Sequence, residues 1–187
     1  MGVSEMVEIY KEMSTRFKPN KVKIVLLAES PPEMPDNMDV SQVKYFYNVD
    51  YVNNQKDILL RETAKVMLDD KNISIRTKEE KIMILQRLQD AGVYLVDAAK
   101  HPINRIKDKK LRKRAVIDDM PALIKELKEL DAERIIIVMK SIYNLVSQEL
   151  QKEGLPIVTV PVNSPFGPTK VGFDYKTTLR RALNSLD

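Results

Sequence analysis

The stretch KVKIVLLAESPPE, Lys21 to Glu33, sets the fold class. Ile24 to Ala28 is apolar at consecutive positions, so both faces of the segment must be covered. That is the signature of a parallel strand inside an α/β sheet. The run stops at Glu29-Ser30-Pro31-Pro32. A plain turn accounts for that ending. So does a strand that delivers polar groups to a site, because ligands of open α/β sheets bind beyond the carboxyl ends of the strands.

Working outward, Val3, Met6, Val7, Tyr10, Met13 and Phe17 recur at helical spacing, which predicts an amphipathic helix over about residues 4–16. Residues 55–69 read as helical. Thr77-Lys-Glu-Glu80 is a capping box opening a helix that Gly92 closes. Val93 to Val96 is a second strand ending at Asp97, and Asp119 to Leu130 is a helix. Arg134 to Met139 is a third strand. Ser141 is expected to cap the next helix, and Pro156 to Val160 to form a fourth strand. Asp174 caps a last helix. The carboxyl pairs Asp69-Asp70 and Asp118-Asp119 fall at helix ends, where capping is their expected role. The expected fold is one α/β domain over 1–187, three layers deep, with a mostly parallel four-stranded sheet. Position alone nominates AESPPE, DAAKHP and VNSPFGP as site segments.

Composition narrows the chemistry. The chain has 187 residues, 43% hydrophobic and 31% charged, with no Cys and one His. Thiolate metal ligands, Cys-ligated clusters and disulfides are excluded, and a His-based metal site or a Ser-His-Asp triad is disfavoured. No metal or cofactor is expected. There is no apolar run of membrane-spanning length and no signal-peptide pattern at the N-terminus, so a cytoplasmic monomer without a membrane partner is expected. GxGxxG and GxxxxGKS are both absent, which argues against Rossmann and P-loop nucleotide sites. The net charge is only +4, but KHPINRIKDKKLRKR, Lys100 to Arg114, holds eight Lys or Arg against one Asp. Such a segment is either a solvated face or an electrostatic footprint for phosphates.

Four segments, in order, resemble the motifs of the uracil-DNA glycosylase superfamily. AESPP stands at its first G-x-[D/N/A]-P loop, and KYFYN, Lys44 to Asn48, at its aromatic motif. VYLVDAAKHPIN, Val93 to Asn104, is similar to the YITNVVKCRPP-like segment of the iron–sulfur branch, without its cysteines. PVNSPFGP stands at the HPSP- or NPSG-like loop, and FDYKTTLRRAL suits the final helix.

The resemblance implies a DNA glycosylase-like repair protein that flips a damaged base and hydrolyses its N-glycosidic bond. Ser30 then takes the position of the water-positioning Asp or Asn. Glu29, one place earlier, is the expected acid/base or water-orienting group. Phe46 stacks on the extruded base. Asp97 replaces an Asn that reads the base edge; when ionised it only accepts hydrogen bonds, so it meets a uracil carbonyl well only when protonated. The last loop has two registers. One puts Val162 at the family's anion-stabilising His and Phe166 at its apolar wedge. The other, shifted by one, supplies Asn163 to the leaving base. Pro31, Ser164, Pro165, Lys170 and Lys100 complete the implied DNA contacts. Two rivals stay open: a fold relative that binds nucleic acid without cleaving it, and a hydrolase of free nucleosides or nucleotides.

Overall fold

The computed structural model describes residues 3–34, 38–166 and 174–185. In chain order the elements are α1 (Val3–Thr15), β1 (Ile24–Ala28), α2 (Ile58–Met67), α3 (Lys78–Asp90), β2 (Val93–Asp97), α4 (Lys109–Asp118), α5 (Met120–Leu130), β3 (Arg134–Ile137), α6 (Lys140–Lys152) and α7 (Tyr175–Asn184), with a short 3-10 turn at Val40–Gln42.

The three strands form one parallel sheet in the order β2-β1-β3. Ile24 aligns with Val93 and Arg134, and Ala28 with Asp97. Val25 to Ala28 are at most 2% exposed, which requires cover on both faces of the central strand. Because β2 and β3 flank β1, right-handed crossovers send α2–α3 and α4–α5 to opposite faces. α3 packs on β2, α6 on β3, and α2 on α7.

Local signals explain most boundaries. Thr77 accepts the Glu80 amide, and the Glu80 carboxylate accepts the Arg76 amide. Gly92 takes φ +77°, where a side chain would meet Lys23 Cγ at 2.8 Å. Asp174 caps α7 through the Thr177 amide.

Three expectations are corrected. Pro156 to Val160 does not build a full fourth strand. Ile157 makes one parallel bridge to Ile135, through Ile135 N to Pro156 O and Val158 N to Ile135 O. Pro156 has no N–H, so the bridge has no amide to extend it on the N-terminal side, and no backbone bond to β3 continues past Val158 among the described residues. Ser141 does not cap α6; the helix starts at Lys140, and Met139 at its N-cap makes no side-chain hydrogen bond. Asp119 makes no cap bond to α5. Its carboxylate accepts the Lys100 amide at 2.7 Å instead, with His101 Nδ1 at 3.3 Å.

The free edge of β2 is closed by Tyr47. Its hydroxyl accepts the Leu95 amide (2.6 Å) and donates to the Leu95 carbonyl (3.0 Å), replacing a missing strand partner. Tyr47→Phe leaves both buried backbone groups unpaired and is expected to cost about 1–3 kcal/mol, read from urea unfolding midpoints.

Candidate functional site

The polar segments meet at the carboxyl end of the sheet. Pairing continues past the strands, with Ala98 N donating to Ala28 O and Ala99 N to Glu29 O. Ser30 Oγ donates to Asn104 Oδ1 at 3.0 Å, and Asn104 Nδ2 reaches Pro31 O at 3.5 Å. Tyr10 donates its hydroxyl proton to Pro32 O at 2.6 Å. The AESPP loop is thus fastened to the DAAKHPIN loop on one side and to α1 on the other. Pro31 and Pro32 offer no amide of their own to these bonds.

Glu29 is held by α4. Arg112 forks onto it, Nε to Oε1 at 3.0 Å and Nη2 to Oε2. The carboxylate side chain is 13% exposed and the guanidinium 34%, so solvent screens the pair only in part. The two line a cleft of about 360 Å³ between α4 and α6, with Lys109, Lys113, Val116, Ser141, Ile142 and Leu145. As placed, both Glu29 oxygens accept from the Arg112 guanidinium, which offsets the carboxylate charge.

Asp97 faces a different cleft, also of about 360 Å³. Its walls come from α1 (Tyr10, Lys11, Ser14), the KYFYN segment (Tyr45), Pro31, the end of β2, Lys100, and α5 (Glu126, Glu129). Among the described residues no donor bonds the Asp97 side chain. Lys100 Nζ goes to the Asp97 backbone carbonyl (2.9 Å) and to the Glu126 carboxylate instead. Burial pushes the Asp97 carboxyl up to about 7, the Lys100 charge pulling it down and the Glu126 charge pushing it further up. Near neutral pH the group is therefore about half protonated, and its protonated form can donate a hydrogen bond. Burial, with the Asp97 charge next, raises the Tyr10 and Tyr45 hydroxyls, so both stay neutral donors.

The remaining candidates fall as follows. Phe46 is 7% exposed and packs edge-on against Tyr47 at 4.9 Å between centroids, while its neighbour Tyr45 lines the Asp97 cleft. Val162 is fully buried, and the Asn163 amide donates to Thr178 Oγ1 of α7 at 3.1 Å. Ser164 Oγ accepts the Phe166 amide at 3.2 Å, closing a turn around Pro165. Phe166 is 52% exposed, with the Lys44 ammonium 4.9 Å from its ring centroid. That contact joins the second and fourth motif segments. Lys170 lies outside the described residues. The structure thus gathers Pro31, Asp97 and Lys100 in one cleft and places Glu29 in another.

Sequence reasoning missed Tyr10, Tyr45, Asn104 and Arg112. Asn104 and Tyr45 lie inside quoted motif segments; for Arg112, the acid-poor 100–114 run was the only signal. Among the described residues no cluster of three His, Asp or Glu could hold a metal ion, and no helix is long and apolar enough to cross a membrane. No family model matches the chain, and neither a curated protein nor a solved structure matches it.

Proposed function

We propose that the chain is a DNA glycosylase-like protein that receives an extruded, carbonyl-bearing base in the Asp97 cleft. The observation that carries this reading is Asp97 itself. It is a half-buried carboxyl at the carboxyl end of β2, without a protein donor among the described residues, facing a cleft of about 360 Å³. The four ordered motif segments add support, as does the chain's α/β order. On this reading the Ile157 bridge marks the fourth strand position of a uracil-DNA glycosylase-like fold.

The chemistry asked of the site is limited. The bond between the sugar C1′ and the base nitrogen breaks, and its electron pair leaves with the base. Water adds to C1′ and releases a proton. Protonated Asp97 donates to a base carbonyl oxygen, where negative charge grows during departure, and a donor placed there lowers the barrier. Tyr10 and Tyr45, packed edge-on with ring centroids 4.7 Å apart, line the same space. The protonated carboxyl removes the polarity conflict between an acceptor at this position and a uracil, hypoxanthine or xanthine carbonyl.

A second reading, a nucleic-acid-binding relative without turnover, is favoured by one observation: Arg112 occupies both oxygens of Glu29. Ser30 is likewise committed to Asn104.

Single- and double-stranded oligonucleotides carrying uracil, hypoxanthine or xanthine separate the two. The enzyme reading expects abasic sites at pH 6, lost at least a hundredfold in Asp97→Ala, since removing one such donor costs about 10²–10³ in rate. Salt-sensitive binding with no abasic product selects the second reading. Absence of both binding and cleavage refutes both readings.

A further inference from the structure

The α4–α6 cleft is not used by base recognition at Asp97, yet it is the more strongly cationic of the two. Lys109, Arg112 and Lys113 recur at i, i+3 and i+4 on one face of α4 and line it together. Glu29 is the one acidic residue in its wall and engages Arg112 alone. Lys109 and Lys113 make no ion pair among the described residues. The opposite wall carries the Ser141 hydroxyl in the first turn of α6, where Met139 offers no side-chain acceptor to the helix amides. The floor is apolar: Val116 is 1% exposed, Ile142 is 2% exposed, and Leu145 is half-buried.

We propose that this cleft is a second binding site, for a nucleoside phosphate, with the phosphate on Lys109, Arg112 and Lys113 and the ring against Leu145, above the buried Val116 and Ile142. The cations select a group with more than one negative charge, because such a group competes with Glu29 for the guanidinium and adds two ammonium partners. The apolar floor selects a ligand that brings a flat, poorly hydrated body with the charge, which inorganic phosphate lacks. A free nucleotide and the phosphorylated end of a nucleic-acid strand both present this chemistry.

The test is a titration of the full chain with a deoxynucleoside 5′-monophosphate, the matching nucleoside and inorganic phosphate, followed by methyl NMR. The monophosphate is expected to move the Val116, Ile142 and Leu145 methyls at lower concentration than the other two. Lys109→Glu/Lys113→Glu, a change at two exposed positions, is expected to weaken it at least tenfold while leaving the other methyls in place. Asp97→Ala is expected to leave the affinity unchanged. Tighter binding of a 5′-phosphorylated than an unphosphorylated single strand, lost in the double variant, assigns the ligand to a strand end. Equal binding of the two strands, with the monophosphate still bound, assigns it to the free nucleotide. Unmoved cleft methyls, or equal affinity in the lysine double variant, overturn the site. So does loss of binding in Asp97→Ala, which moves the ligand to the other cleft. Failure of base removal leaves this site standing, because its readout is binding at α4.

Discussion

Lys81→Ala is expected to lower stability by about 3–5 kcal/mol, the largest effect of any single substitution considered. Lys81 is fully buried in α3. Its ammonium donates to Asp57 Oδ2 at 2.5 Å and to the Tyr51 carbonyl at 2.9 Å, and lies 5.7 Å from the Tyr51 ring centroid. Burial lowers the Lys81 ammonium and raises the Asp57 carboxyl, each opposed by the other's charge. Both groups have given up water and depend on each other. Truncating Lys81 leaves Asp57, 5% exposed at its side chain, charged or newly protonated without a partner. Replacing both, as in Lys81→Met/Asp57→Leu, is expected to cost far less than Lys81→Ala, because no lone charge remains. Urea unfolding of the three proteins checks this. A Lys81→Ala midpoint equal to wild type contradicts it. The pair also ties the segment ahead of α2, just beyond KYFYN, to α3, so the single variant is expected to loosen the aromatic wall of the Asp97 cleft.

Asp97→Asn is expected to stabilise the protein at pH 8 and to flatten its stability between about pH 4 and 7. The folded carboxyl is raised to about 7 from an ordinary value of 3.8. Between those values the folded state binds more protons than the unfolded one. Stability is therefore fully present below about 4 and is lost as pH rises toward 7. The loss is on the order of 2–4 kcal/mol, discounted for the partial exposure of Asp97. An Asn amide stays neutral and carries no such cost. The same substitution separates the functional readings. If protonated Asp97 donates to the base, wild-type base release falls about tenfold per pH unit above 7. Asp97→Asn, which keeps a donor at all pH values, is expected to hold its rate to pH 9. A wild-type profile flat from pH 6 to 9 contradicts the donor role, whatever happens to stability.

The buried strands, the Thr77 box, Gly92 and the Asp174 cap were legible because each rests on neighbours in sequence. The amphipathic stripe of α1 was legible for the same reason. α4 was harder to read. Its cations leave no continuous apolar stripe, and Leu111 is 61% exposed while only Val116 is buried. The fourth strand read well by composition but forms only the single bridge of Ile157 to Ile135, because composition does not say whether a neighbouring strand pairs along its length. In the site, the end of β1 was found, but the partner that claims Glu29 lies 83 residues away on a helix the sequence did not announce. Tyr45, Phe46 and Tyr47 are adjacent aromatics. Alternation says that they point different ways and not which one faces a cleft; the structure turns Tyr45 to the cleft, Tyr47 to the strand edge and Phe46 into the core. The raised proton affinity of Asp97 depends on burial and on Glu126, neither of which its own segment reveals.

The proposed extrusion of a base into the Asp97 cleft can be read without turnover. A duplex carrying 2-aminopurine beside a uracil or hypoxanthine brightens when its neighbour leaves the stack. With wild-type protein at pH 6, a saturable rise is expected for the deaminated base and not for the undamaged duplex, and Asp97→Ala is expected to abolish it while salt-sensitive binding persists. No rise with the wild type, or an equal rise with Asp97→Ala, contradicts the assignment of this cleft to a flipped base.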